Sequence, residues 1–189
     1  MKKIIVITTL ILTLALTACT AGNAATRQSG ENDPIAAELA VLQAEVQELK
    51  DERDIRDLYT GFSQGVDGDD PAILSGIFTE DIVGDYSEDF GFVLKGLENF
   101  IAQTQGSLGP PITQHVMATY DIDIDGDTAT GFRYVIAWHV DPDDPTHQFK
   151  VGARYLDTLV RTPTGWKISE FTFKILWADG DPAVVGGES

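Results

Sequence analysis

Ile112-Thr113-Gln114-His115-Val116-Met117 reads as a strand that turns one imidazole into the body of a domain. Alternate residues of a strand share a face, so Thr113, His115 and Met117 point one way while Ile112, Gln114 and Val116 point the other. Downstream the pattern repeats, with strands expected over 112–124, 128–140, 148–161 and 166–177. They are separated by Asp125-Gly126-Asp127, by an Asp/Pro-rich stretch at 141–147 and by Thr162-Pro163-Thr164-Gly165, which makes an antiparallel meander. Upstream the signals are mainly helical. Ile55, Leu58, Tyr59, Phe62 and Val66 mark one face of an amphipathic helix that ends with Asp67 and stops at Gly68. Asp70-Pro71 caps a short helix over 72–78, strands follow at 82–86 and 92–95 around the polar turn Ser87-Glu88-Asp89, and a third helix covers 97–105 before a loop at 106–111. Helices first and a sheet afterwards define an α+β class, with helices on one sheet face.

The 189 residues, 43% of them hydrophobic and 9% aromatic, support one domain with a sizeable core. Before it, Lys2-Lys3 and an apolar run from Ile4 to Leu16 form an export signal over 1–18, too short to span a bilayer. The signal ends in Leu16-Thr17-Ala18-Cys19, which resembles the lipobox of bacterial lipoproteins; lipidation of Cys19 would hold an exported protein at a membrane surface. An ordinary signal peptide, leaving Cys19 as a free thiol, is the alternative. Residues 19–34 read as a flexible tether and 179–189 as a loose tail that could lie across a pocket mouth. Between tether and domain, Ile35, Leu39, Leu42, Val46 and Leu49 place one apolar stripe on a helical extension over 35–52, which either packs on its own domain or pairs with a second copy. Loss of the signal leaves 11 basic against 30 acidic residues, a net charge of −19, which excludes nucleic acid and direct binding of the folded domain to anionic lipid.

The residues Arg53-Asp54-Ile55-Arg56-Asp57-Leu58-Tyr59, Val66-Asp67-Gly68-Asp69, Phe78-Thr79-Glu80-Asp81, Leu94-Lys95-Gly96, Thr113-Gln114-His115, Gly152-Ala153-Arg154-Tyr155-Leu156-Asp157 and Gly165-Trp166-Lys167-Ile168 together resemble the SnoaL-like branch of the nuclear transport factor two-like superfamily. The resemblance runs from about Glu52 to Trp177, with the domain taken as 53–178. It implies a cone in which helices close on the concave face of a bent antiparallel sheet around an apolar pocket. In the branch containing scytalone dehydratase and hexachlorocyclohexane dehydrochlorinase it pairs an aspartate at a helix end with a strand histidine, positions matched here by Asp67 and His115. His115 would then be a base that takes a proton from carbon, with Asp67 fixing its tautomer, in a lyase or isomerase needing neither metal nor cofactor. The dehydrochlorinase has a lysine one and a half helical turns before its aspartate, and Phe62 stands at that position here. The resemblance also implies the inward set: Thr113 and Met117; Val135 and Ala137, with Arg133 sharing their parity; Val151, Ala153 and Tyr155; Phe171, Phe173 and Ile175. These would bind a small apolar or aromatic, cyclic molecule. The opposite face, with Phe132, Tyr134, Ile136 and Trp138, is then a candidate surface for a homo-oligomer.

Other readings remain open. The pocket can exist without the chemistry, in a lipid-anchored ligand-binding or assembly module. His139 and His147 read as ordinary strand-end and loop histidines, although His139 shares the inward parity of Ala137 and could be a second catalytic histidine. Asp121-x-Asp123-x-Asp125-Gly126 begins like a calcium loop but has Phe132 in place of the closing glutamate, and its alternation with Ile122 and Ile124 reads as a hairpin. No metal-ligand spacing is expected.

Overall fold

In the computed structural model residues 34–107 and 112–185 are described; the signal segment, Cys19 and the tether up to residue 33 lie outside them. The two helical stripes at the start belong to one helix, α1 (Pro34–Asp67). Lys50-Asp51-Glu52-Arg53-Asp54 contains no Gly or Pro, so the change of phase moves the apolar stripe around the axis without ending the helix. Burial begins at Asp51 and continues through Ile55, Tyr59, Phe62 and Val66. Next comes α2 (Pro71–Ile77), capped as expected: Asp70 accepts hydrogen bonds from the Ala72 and Ile73 amides, and Pro71 occupies the first turn.

Strand β1 (Phe78–Asp85) starts earlier than the alternation implied, because Phe78 and Ile82 are both core residues. The presumed turn after it is a helical turn, α3 (Ser87–Phe90), followed by β2 (Val93–Lys95) and α4 (Leu97–Ser107). Four long strands complete the fold: β3 (Ile112–Asp125), β4 (Thr128–Val140), β5 (Gln148–Thr162) and β6 (Gly165–Gly180). The expected loose tail is structured as far as it is described, since β6 runs to Gly180 and Pro182–Val185 forms a 3-10 turn.

The sheet order is β2-β1-β6-β5-β4-β3. Every junction is antiparallel except β1–β6, which is parallel and departs from the all-antiparallel expectation. Parallel neighbours need a long connection, and the chain between β1 and β6 supplies one. Bulges bend the sheet, including one at Ala118/Asp121 where Thr119 takes a left-handed φ of 54°. The β3–β4 hairpin turns at Gly126, with φ 61°, as the hairpin reading of the acidic stretch required.

Two devices fix α1 on the sheet. Tyr59 and Phe62 are buried in the core, each such ring contributing roughly 1.5–3 kcal/mol, and β4 has Gly131 opposite Tyr59. A Cβ at Gly131 would lie 1.9 Å from the Tyr59 hydroxyl oxygen, so glycine permits the close approach. Where α1 leaves the domain, Arg161 grips the Asp51 carboxylate through both oxygens at 2.6 and 2.8 Å, and the Trp166 indole donates to it at 3.0 Å. Arg161, followed by Trp166 and Gln47, holds the Asp51 carboxyl down at about 2 against the upward pull of burial.

Candidate active site

The end of α1 and the start of β3 meet at Asp67 and His115. Asp67 Oδ1 lies 2.6 Å from His115 Nδ1, Oδ2 accepts the His115 backbone N–H at 2.8 Å, and the Thr113 hydroxyl donates to Oδ1 at 3.1 Å. Three groups from one strand therefore orient one carboxylate. The side chains of His115 and Asp67 are 10% and 25% exposed. Burial pulls the Asp67 carboxyl upward, but hydrogen bonds from His115 and Thr113 and the charge of His115 outweigh it, so the group sits below the ordinary carboxylate range. An ionised carboxylate can only accept, which puts a proton on His115 Nδ1 and, in the neutral form of the ring, the lone pair on Nε2.

His115 opens onto a cavity of about 410 Å³ walled by α1, the β1–β2 segment, α4, the concave sheet face and the C-terminal turn. Of the residues expected to line it, His115, Val135, Ala137, Val151, Tyr155 and Phe173 do so. The remaining expected residues face the same side but do other work. Thr113 orients Asp67. Ala153 and Phe171 are sealed in the core, and Met117 and Ile175 pack against it. Arg133 points inward yet is fully buried away from the cavity. It makes a bidentate pair with Asp157, at 2.8 and 3.1 Å, and its guanidinium lies 4.0–4.7 Å from the ring centroids of Tyr155, Tyr59 and Phe62.

Other parts of the wall were not anticipated. Tyr86, Phe90, Phe92 and Leu94 come from the segment read as a polar turn and its flanking strands, where the Phe90/Phe92 pair was the available signal. Pro182 and Val185, by contrast, come from the tail, the segment that could be expected to lie across a pocket mouth. His147 ties that tail down, its Nε2 lying 2.8 Å from Asp181 and its Nδ1 3.3 Å from Asp141. Phe62, which the resemblance sets at the position of the dehydrochlorinase lysine, stands edge-on to His115 with ring centroids 6.5 Å apart. No Lys or Arg is among the described lining residues.

His139 joins the site. Its ring lies 5.7 Å from that of His115 and perpendicular to it, and Nδ1 is 3.3 Å from the Phe149 carbonyl. Burial first, then the neighbouring His115, push its pKa down to about 4, so it is neutral at neutral pH. A carbonyl can only accept, so Nδ1 carries the proton and Nε2 is an acceptor. Burial also raises the hydroxyls of Tyr86 and Tyr155, which therefore remain protonated. Among the described residues no cluster of three or more His, Cys, Asp or Glu could hold a metal ion.

The SnoaL-like domain profile matches residues 47–172, and the chain belongs to this family. An uncharacterised protein of Mycobacterium tuberculosis strain H37Rv is 28% identical over 125 residues, covering 65% of this chain and 84% of its own. Among solved structures, a Kribbella flavida protein superposes with a TM-score of 0.68 at 21% identity, covering 74% of this chain and 99% of its own. Hexachlorocyclohexane dehydrochlorinase LinA-type3 of Novosphingobium barchaimii gives 0.64 at 18%, covering 77% and 99%. An NTF2-like protein with a cystatin-like fold from Novosphingobium aromaticivorans gives 0.63 at 23%, covering 82% and 96%. At these identities the structural likeness establishes the shared fold.

Proposed function

We propose that the cavity is the active site of a cofactor-free lyase or isomerase, in which His115 removes a proton from a carbon of a small, largely apolar cyclic substrate. The observation that carries this reading is the 2.6 Å contact between Asp67 and His115 Nδ1, which leaves Nε2 as the basic nitrogen of a side chain lining the cavity. Asp67 stabilises the imidazolium that forms as the proton arrives. His139 accepts a hydrogen bond from a substrate hydroxyl. With no cation in the described lining, a departing halide ion would find little stabilisation, whereas a hydroxyl can leave as water by taking a proton from a neutral tyrosine. In that elimination the C–H pair becomes the new C=C bond, the C–O bond breaks, and the proton on His115 returns to the tyrosinate. Dehydration or double-bond isomerisation is therefore favoured over dehydrohalogenation. The fold shared with a dehydrochlorinase supports the reaction class.

The test is a thermal-shift screen of aromatic and steroid-like hydroxy compounds, followed by turnover assays of wild type, His115→Ala and Asp67→Asn. Hits turned over by wild type and not by the variants support the dyad. Equal turnover by all three would remove it. Hits that bind without turnover in any of the three would favour a ligand-binding module, the reading for which the loss of lysine at Phe62 speaks.

The same proposal takes the protein to be exported and held at a bacterial membrane by lipidated Cys19, on the support of Leu16-Thr17-Ala18-Cys19. Expressed with its signal in a bacterial host, wild type should fractionate with membranes and Cys19→Ala should be released; an equal distribution contradicts the anchor.

A further inference from the structure

The first half of α1 stands outside the domain. Every residue from Pro34 to Lys50 is exposed, and Leu39, Leu42, Val46 and Leu49 show 54, 51, 49 and 65% of their surface. Their spacings of 3, 4 and 3 put Leu39 and Val46 at the a positions and Leu42 and Leu49 at the d positions of a coiled-coil heptad. The stripe that docks on the domain, Ile55, Tyr59, Phe62 and Val66, lies on another side of the helix. At about 100° per residue its mean direction is roughly 150° from that of the exposed stripe. The domain's own sheet therefore cannot cover the exposed stripe, and a partner helix can reach it without meeting the domain body.

We propose that residues 38–50 form a parallel, two-stranded coiled coil with the same segment of a second copy of this chain, so that two pockets are carried on one helical stalk. Charge selects the orientation. Glu38 and Glu45 flank the seam at g, and Gln43 and Lys50 flank it at e. In a parallel pair Glu45 faces Lys50 of the second copy and Glu38 faces Gln43; an antiparallel pair brings the glutamates together. Val46 at a with Leu42 and Leu49 at d suits two strands.

Two heptads are short for an isolated coiled coil, because the first helical turn is costly to nucleate. Here α1 is already nucleated by its buried half, which Arg161 and Trp166 fasten at Asp51, so the stalk needs only to propagate. A lipid surface is a poorer occupant, since Glu38, Glu45 and Glu48 outnumber Lys50 on this segment while interfacial helices are rich in cations.

The test is light scattering and sedimentation of the mature chain, made unlipidated with Cys19→Ser, at micromolar concentration. The parent should have the mass of a dimer, and the combined variant Leu39→Gln, Leu42→Gln, Val46→Gln that of a monomer with its domain melting unchanged. In the same background, Leu39→Cys should give a disulfide-linked dimer on mild oxidation, because only a parallel pair sets residue 39 beside its own copy. A monomeric parent would overturn the proposal. So would a dimer that survives the three glutamines, a dimer lost instead through Ile136→Glu on the outer sheet face, or failure of residue 39 to cross-link.

Discussion

Two ion pairs lie on the concave side of the sheet, Arg133–Asp157 between neighbouring strands and Asp67–His115 between α1 and β3, and they differ in what is left over once each pair has formed. Arg133 and Asp157 are sealed, both side chains 0% exposed, with the guanidinium enclosed by Tyr59, Phe62 and Tyr155. Asp67 and His115 sit at the cavity wall, where the carboxylate takes one ring nitrogen and the other is left for a ligand. A pair that satisfies itself is architecture, whereas a pair that keeps one nitrogen for the cavity has chemistry to offer. Inward parity could not separate them, because Arg133 and His115 both point to the concave side.

Breaking each pair should give opposite phenotypes. His115→Ala and Asp67→Asn should lower turnover by about 10²- to 10⁴-fold while leaving the melting curve close to wild type, the loss expected of a positioned general base. Asp157→Asn should do the reverse: it strands a buried guanidinium and should destabilise by about 3–5 kcal/mol in denaturant titrations. If Asp157→Asn spares stability and abolishes turnover, the division of labour is wrong.

A third pair sharpens the contrast by pH. The Asp51 carboxyl is held at about 2, below its ordinary value of 3.8, so folding favours its ionised form. That contribution, about 2 kcal/mol, is fully present above about pH 4 and is lost as pH falls through about 2. Urea titrations at pH 5 and pH 2.5 should show the loss in wild type and a shallower one in Asp51→Asn; identical slopes would deny Asp51 its anchoring role.

The smallest effect should come from the tail. Asp181 first and then Asp141 raise the His147 pKa, so the contact is complete below about pH 6.5 and weakens as pH rises through the raised value. Because Pro182 and Val185 line the cavity, ligand affinity should fall modestly on the alkaline side, and the fall should vanish in His147→Gln. An unchanged pH profile in that variant would uncouple the tail from the pocket.

Much of this is legible in the sequence. Alternation located the four long strands and aimed His115 inward, Asp70-Pro71 located a helix start, and Val66-Asp67-Gly68 a helix end. Parity states which face a side chain occupies, but not how close a helix lies above it. Hence Val135 and Ala137 line space while Ala153, Phe171 and Arg133 on the same face are filled over. Asp157 was missed because a lone acid inside an apolar strand shows its purpose only when Arg133 is seen 2.8 Å away. The cavity residues of the β1–β2 segment were missed because Ser87-Glu88-Asp89 reads as a solvent turn, although those acids serve the sheet: Glu88 pairs with Lys174, and Asp89 accepts the Ile175 amide.

The central claim is that His115 takes a proton from carbon. With a compound that binds the cavity, the direct measurement is the rate at which its acidic C–H exchanges with deuterium oxide, followed by NMR for wild type, His115→Ala and Asp67→Asn. The account predicts enzyme-catalysed exchange that disappears in His115→Ala and falls sharply in Asp67→Asn, while both variants still bind. Exchange that continues at the wild-type rate without His115 would contradict it.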